Sequence, residues 1–271
     1  MSKSRPPVTT PVVDAHAHIF HQGMPLINNP RHQPTYDFML ADYLAQLDRH
    51  GIDFGVIAAA SLWGDFNDYT RDSVSGCDRL RGTVILHPGK SYDFAGLSAA
   101  GIVGVRLPFI GLPRLPDLTT ADYQTLLRQI ADHDWHVHLH VEGLHIPAVL
   151  PLLEKAGPKI VIDHLGRPGP DDADTPAFKA VVSSVERGKS WMKVSCGYRI
   201  GEVARAHFQA YLEALGPGRM FWASDCPFVG HEAQVTYQST IDWLLEEVAD
   251  TGTLEQLFGL NALKFYFDRD A

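Results

Sequence analysis

The chain alternates short β-rich apolar runs with longer amphipathic segments, and this alternation limits its fold more than any other feature. The runs with strand composition are Pro11–His16, Phe54–Ala60, Arg81–Leu86, Val103–Phe109, His136–Glu142, Lys159–His164, Trp191–Cys196 and Arg219–Ser224. Apolar residues recur at helical steps of three and four in Asp37–His50, Thr120–His133, Ile146–Ala156, Thr175–Arg187, Glu202–Leu215 and Ala233–Asp250. Eight strands, each followed by a crossover, predict an α/β fold of the (β/α)8 TIM-barrel type.

The length favours one domain. Barrels of this kind reach about 250 residues as a single unit, and the chain has 271 without a linker-like segment. We therefore expect residues 1–271 to form one barrel domain, with residues 1–10 as a flexible tail. The segments Leu107–Leu118 and Arg167–Pro176 are predicted to be long loops after strands, where this fold places substrate contacts.

Composition excludes several classes of protein. The net charge of -9 argues against binding to a nucleic-acid backbone. No apolar run approaches the ~20 residues that span a bilayer, and the polar N-terminus lacks the apolar core of a signal peptide. Three scattered cysteines do not form a disulfide framework. We expect a cytoplasmic protein without nucleic-acid or membrane partners, and the sequence leaves open whether it forms a homo-oligomer.

Histidine is the most informative residue type in this chain, because several of its 14 histidines follow apolar strands. His16 and His18 are two residues apart at the end of the first strand, so both rings can reach one metal ion. On the fifth strand, alternation places His136, His138 and His140 on one inward face. His140, nearest the carboxyl end, is predicted to reach the site, with His138 as the reserve candidate and His136 in the core.

Two further strands end in groups that carry chemistry. His164 closes the sixth strand, and Asp225 follows the eighth. A carboxylate at the end of a buried strand needs a partner, because burying it alone is costly. Asp225 can therefore bind a metal ion and accept a proton from water. The neighbouring Cys226 is interpreted as a packed thiol.

This ordered pattern of strand-end ligands resembles the amidohydrolase superfamily over essentially the whole chain. The resemblance implies that His16, His18, His140 and Asp225 bind one divalent metal ion, zinc or manganese. It also implies that His164 orients the attacking water or polarises the scissile carbonyl. The carbamylated lysine or glutamate that the superfamily has at the fourth strand is missing here, where Arg106 stands, so a mononuclear rather than a binuclear site is expected.

Basic residues at the same predicted rim point to an anionic substrate, since guanidinium groups bind carboxylates with two parallel hydrogen bonds. These residues are Arg106, Arg114, Arg167 and Arg199. The alternative for one or two of them is pairing with loop aspartates such as Asp171, Asp172 and Asp174.

A narrower resemblance is to the lactone-hydrolysing branch of that superfamily, the group of 2-pyrone-4,6-dicarboxylate lactonase. The matching stretches are Asp14–His18, Ala58–Ser61, Gly104–Arg106, Ile162–Pro168 and Ser224–Pro227. The resemblance implies that Ser61, Arg106, Arg167 and Arg199 hold substrate carboxylates. The pyrone lactonase works without metal and has a tyrosine at the fifth-strand histidine. This chain has His140 and so resembles the metal-using relatives that open sulfomuconolactone or sugar lactones.

The sequence therefore predicts a metal-dependent hydrolase that opens a small carboxylated lactone, with Asp225 accepting the proton of the attacking water. Three alternatives stay open. The same scaffold supports non-oxidative decarboxylation of an aromatic or muconate-type acid. A lactonase of the metal-independent pyrone type is the second alternative. A binding protein without catalysis is the third, and replacement of Asp225 by asparagine would distinguish it.

Overall fold

The computed structural model describes residues 5–169 and 174–268. Eight parallel strands lie side by side in chain order: β1 (Val13–Ala17), β2 (Phe54–Ile57), β3 (Leu80–Val84), β4 (Ile102–Pro108), β5 (His136–His140), β6 (Lys159–Ile162), β7 (Ser190–Val194) and β8 (Met220–Trp222). The ends of the sheet meet where Ala17 bridges Cys226 in parallel, with Asp225 N donating to His16 O at 2.9 Å. This closure confirms the predicted barrel.

Helices occupy the segments between and after the strands. They are α1 (Leu40–His50), α2 (Asp68–Val74), α3 (Phe94–Ala99), α4 (Ala121–Asp132), α5 (Ile146–Ala156), α6 (Pro176–Glu186), α7 (Gly197–Ile200), α8 (Val203–Leu215), α9 (Tyr237–Glu247), α10 (Thr251–Glu255) and α11 (Asn261–Phe267), with a π-helical turn at Gln256–Leu260. All six segments predicted from helical spacing contain a helix. Among the described residues, no helix is both long enough and apolar enough to cross a bilayer.

Local sequence explains where several helices begin and end. Thr175 caps α6 by accepting a hydrogen bond from the Phe178 amide, and Thr236 and Ser239 form a reciprocal capping box at α9. Such caps satisfy amide groups that have no partner inside the helix. Gly51 ends α1 at φ 65°, a left-handed conformation that costs glycine little.

The alternation on β5 decides what reaches the centre of the barrel. Val137 and Leu139 face outwards and pack with the apolar sides of the helices. The three histidines face inwards, and His136 contacts the rings of Phe265 and Tyr266 from α11. The predicted inward histidine face is therefore present along the whole strand.

The first described residues of the chain pack against the barrel. Val8 is buried, and the Arg5 guanidinium donates to the Gly51 carbonyl at 2.8 Å. Residues 5–10 of the expected tail thus contact the barrel. Asp171 and Asp172, considered above as partners for arginines, lie outside the described residues.

Candidate active site

The carboxyl ends of β1 and β8 bring His16, His18 and Asp225 together. His16 Nε2 lies 3.2 Å from His18 Nε2, and Asp225 Oδ1 lies 3.7 Å and 3.5 Å from these two nitrogens. His16 is fully buried, whereas His18 is partly open to the pocket. The strand-end pattern predicted this cluster, because parallel strands end at one rim.

The geometry of this cluster fits a metal ion. A tetrahedral zinc ion with ligands at about 2.0–2.1 Å requires donor separations of about 3.3–3.4 Å, close to the three observed distances. His18 Nδ1 lies 2.7 Å from the Ala58 carbonyl, a contact that leaves the Nε2 lone pair free and is typical of metal-binding histidines. His16, His18 and Asp225 can therefore serve as three ligands.

His140 reaches the same pocket but makes a different contact. Its Nδ1 lies 3.0 Å from an Nη of Arg106, and its ring lies 5.0 Å from that of His164. Among the described residues, the compact groups of potential ligand atoms contain His16, His18, His164, Asp163, Cys196 and Asp225. His140 is absent from them, so its expected place as a fourth ligand stays a prediction.

Asp225 is held by different partners at its two carboxylate oxygens. Oδ2 accepts hydrogen bonds from Tyr198 Oη at 2.5 Å, Cys196 Sγ at 2.8 Å and Arg199 Nε at 3.1 Å. Burial alone would raise the pKa of Asp225, but a hydrogen bond with His18 and the Arg199 guanidinium hold it well below its ordinary value. Asp225 is thus an ionised carboxylate whose Oδ1 faces the pocket.

His164 lies beside this carboxylate and is neutral. Burial lowers its pKa to about 3, against the opposing effect of Asp225. Its Nδ1 is 2.8 Å from Ser195 Oγ, and its Nε2 is 3.9 Å from Asp225 Oδ1. With Nδ1 held by Ser195, Nε2 is the nitrogen available to a substrate.

A buried ionic group that the sequence analysis missed supports the site from below. Lys193 Nζ lies 2.8 Å from His16 Nδ1, 3.1 Å from His138 Nδ1 and 3.2 Å from Asp163 Oδ1. Asp163 Oδ2 also pairs with Arg106 Nε at 3.1 Å. Burial would raise the pKa of Asp163, but Lys193, His16 and Arg106 hold it well below its usual range. A lysine inside an apolar strand was the available signal.

The pocket above these groups collects most of the predicted substrate-binding residues. Ser61, Arg106, Arg167 and Arg199 line it together with His18, His140, His164 and Asp225. Arg114 lies instead in an adjoining groove. Arg31, from the loop after β1, lines both and was not predicted, because nothing in that irregular segment fixes its position.

The chain matches the amidohydrolase family model over residues 13–267. It is 26% identical to a 2-pyrone-4,6-dicarboxylate hydrolase of Comamonas testosteroni, covering 95% of this chain and 90% of the relative. It is 27% identical to a 4-sulfomuconolactone hydrolase of Rhizobium radiobacter, covering 80% and 76%.

Among solved structures, a probable 2-pyrone-4,6-dicarboxylic acid hydrolase of Acinetobacter baumannii with bound citric acid has a TM-score of 0.89 and 29% identity, over 94% of this chain and 98% of the other. The match to the family model spans all eight strands and the residues of the site. The chain belongs to the amidohydrolase family and is a hydrolase that acts on an ester bond.

Proposed function

We propose that the protein opens the ring of a small lactone that carries a carboxylate or similar anionic group. The observation that carries this proposal is the arrangement of guanidinium groups at the pocket. Within residues 5–169 and 174–268, neither Arg31 nor Arg167 has a side-chain hydrogen bond or ion pair, although both line the pocket. Positive groups without protein partners at a concave site favour a negatively charged ligand.

The remaining two pocket arginines are already paired inside the protein. Arg106 contacts Asp163, and Arg199 contacts Asp225. Arg31 and Arg167 are therefore the groups with free donors for a substrate carboxylate. Arg106 and Arg199 add positive charge to the pocket, and Arg199 also holds Asp225 in place. The citric acid bound in the Acinetobacter baumannii relative supports a pocket for carboxylates, as do the two lactone-hydrolysing relatives.

The residues suggest a division of labour in ring opening. Arginines and Ser61 orient the lactone, which fixes the geometry of attack. His164 lines the pocket and its Nδ1 is held by Ser195, so its Nε2 can donate to the carbonyl oxygen as negative charge develops. Asp225 Oδ1 accepts the proton of the attacking water and returns it to the ring oxygen that leaves.

We further propose that the enzyme uses one divalent metal ion, zinc or manganese. His16, His18 and Asp225 would hold it, with His140 as the fourth predicted ligand. A bound ion would lower the pKa of a water molecule and polarise the carbonyl. The contacts of His16 constrain its use as a ligand. A histidine that binds a metal ion through Nε2 donates its Nδ1 hydrogen to an acceptor, whereas His16 Nδ1 lies beside the Lys193 ammonium group as well.

The proposal is tested by a panel of lactones with and without a carboxylate, assayed for ring opening by proton release. Metal analysis of the purified protein and assays after chelation accompany it. Asp225→Asn should lower kcat by about 10²–10⁴-fold while substrate binding, measured by calorimetry, persists. Asp132→Asn, at an exposed position on α4, is the matched surface control.

Each alternative gives a distinct outcome. Carbon dioxide release from an aromatic acid without ring opening would show a decarboxylase. Full activity of metal-free protein would refute the metal requirement and leave the lactonase standing. Ligand binding without turnover in the wild type would refute catalysis altogether.

A further inference from the structure

An outer groove adjoins the catalytic pocket and is formed by the loops that follow β1 to β4. Its walls come from residues 25–31, 61–66, 85–87 and 106–116. It shares Arg31, Ser61, Leu62, Trp63 and Arg106 with the catalytic pocket. The two spaces are therefore continuous, and a molecule held at Ser61 can extend from one into the other.

The outer groove is where exposed apolar side chains concentrate. Five large hydrophobic residues are exposed in the described part of the chain. Three of them line this groove, namely Leu26 at 37%, Ile27 at 42% and Leu112 at 42% exposure. Apolar surface gathered in a concave site beside a catalytic centre is typical of a binding site.

The walls of the outer groove are fixed by hydrogen bonds of the backbone. The Ile27 amide donates to the Leu62 carbonyl at 2.9 Å. On the opposite wall, the Gly111 amide donates to Glu142 Oε1 at 2.7 Å. Because the groove is already formed, the protein loses little conformational entropy when a ligand binds there.

Arg31 marks the junction between the two spaces. A Cβ atom at Gly111 would lie 3.3 Å from Arg31 Cδ, so the arginine stem passes directly over this glycine. Its guanidinium is thereby available to the anionic end of a ligand at the pocket, while the apolar wall continues past it.

We propose that the outer groove binds an apolar substituent, alkyl or aryl, carried by the lactone substrate. This inference rests on the proposed lactonase function and specifies its substrate class as an anionic lactone with a hydrocarbon side chain. The substrate, rather than a second copy of the chain, is the occupant because the groove opens into the catalytic pocket through five shared residues.

The test compares carboxylated lactones that differ only in a hydrogen, methyl, butyl or phenyl substituent. Each methylene that leaves water should raise kcat/KM about fourfold, until the groove is filled. Leu112→Asn and Ile27→Asn should reduce the ratio of kcat/KM between the butyl and unsubstituted lactones. Leu144→Asn, at a residue 74% exposed outside the groove, should leave that ratio unchanged.

The outcomes separate the two proposals. Hydrolysis of the unsubstituted lactone without any gain from substituents refutes the outer groove and leaves the lactonase function intact. The same conclusion follows if Leu112→Asn retains the full gain, or if it instead breaks a dimer in sedimentation experiments while the ratio holds. Failure to open any lactone refutes the proposed function and this inference with it.

Discussion

Replacing Lys193 with methionine should destabilise the protein strongly, because the lysine neutralises a carboxylate at the centre of the barrel. Lys193 and Asp163 are both fully buried, and their ionic contact is 3.2 Å long. Methionine keeps most of the volume of lysine but leaves Asp163 Oδ1 without a positive partner. The same change removes the donor that faces His16 Nδ1 and His138 Nδ1.

The magnitude follows from the partners that remain. Removing one partner of a buried ion pair costs about 3–5 kcal/mol. Arg106 still neutralises Asp163 through Oδ2, so we expect the lower end, about 3 kcal/mol. This is a large share of the roughly 5–15 kcal/mol that stabilises a typical domain. With a urea dependence of about 3 kcal/mol per molar, the midpoint should fall by about 1 M.

Urea denaturation followed by circular dichroism measures this change. Lys155→Met, which removes an exposed lysine from α5, should leave the midpoint within about 0.2 M of the wild type. The double variant Lys193→Met/Asp163→Asn should be more stable than the sum of the two single effects by at least about 1 kcal/mol. An unchanged midpoint in Lys193→Met, or strict additivity in the cycle, would refute the ionic role of Lys193.

Three further predictions concern acid, the arginines and one glycine. Burial lowers the pKa of five inward histidines well below the usual value, and these are His16, His136, His138, His140 and His164. Below pH 6.5 the unfolded chain binds protons at these five histidines and the folded chain does not, so acid favours unfolding. The contribution of these histidines to the free energy of unfolding is therefore fully present above pH 6.5. The free energy of unfolding should therefore decrease as the pH is lowered below 6.5, by about 1.4 kcal/mol per pH unit for each of these histidines that titrates. Urea denaturation followed by circular dichroism at pH 7 and pH 5 measures this, and an equal midpoint at the two pH values would contradict it. Arg167→Ala should raise KM without changing the melting temperature, whereas Arg106→Met should lower stability and activity together, because Arg106, unlike Arg167, pairs with the buried Asp163. Equal melting temperatures of the two variants would contradict this. Gly259→Ala should lower the melting temperature by about 10 °C, since its Cβ would collide with the Pro11 carbonyl oxygen, while Gly218→Ala, where the nearest atom is 3.9 Å away, should melt like the wild type.

Much of the site was predictable from the ends of the strands. In a parallel barrel every strand ends at the same rim, so His18, His164 and Asp225 had to lie near one another once their strands were recognised. The hydrophobic alternation of β5 likewise placed its histidines on the inward face. These inferences need only the period of a strand and its direction.

Other residues could not be placed in the same way. Arg31 comes from an irregular segment after β1, and Arg114 lies in the outer groove rather than the pocket, because loop paths depend on packing between loops. Lys193 stands within a strand that the sequence did identify. Its charge could have been noticed in the sequence, but the residues with which it pairs could not have been predicted.

The sequence by itself determined the barrel, the order of its strands and the identity of the groups at its rim. The physical reason is that apolar periodicity and strand polarity are local properties of the chain. Only the tertiary structure decided which atoms pair: Lys193 with His16, 177 positions apart, His140 with Arg106, and Asp225 with Tyr198 and Arg199. Such pairing depends on barrel closure and on the competition of buried charges for few partners. Neither can be deduced from any single segment of the sequence.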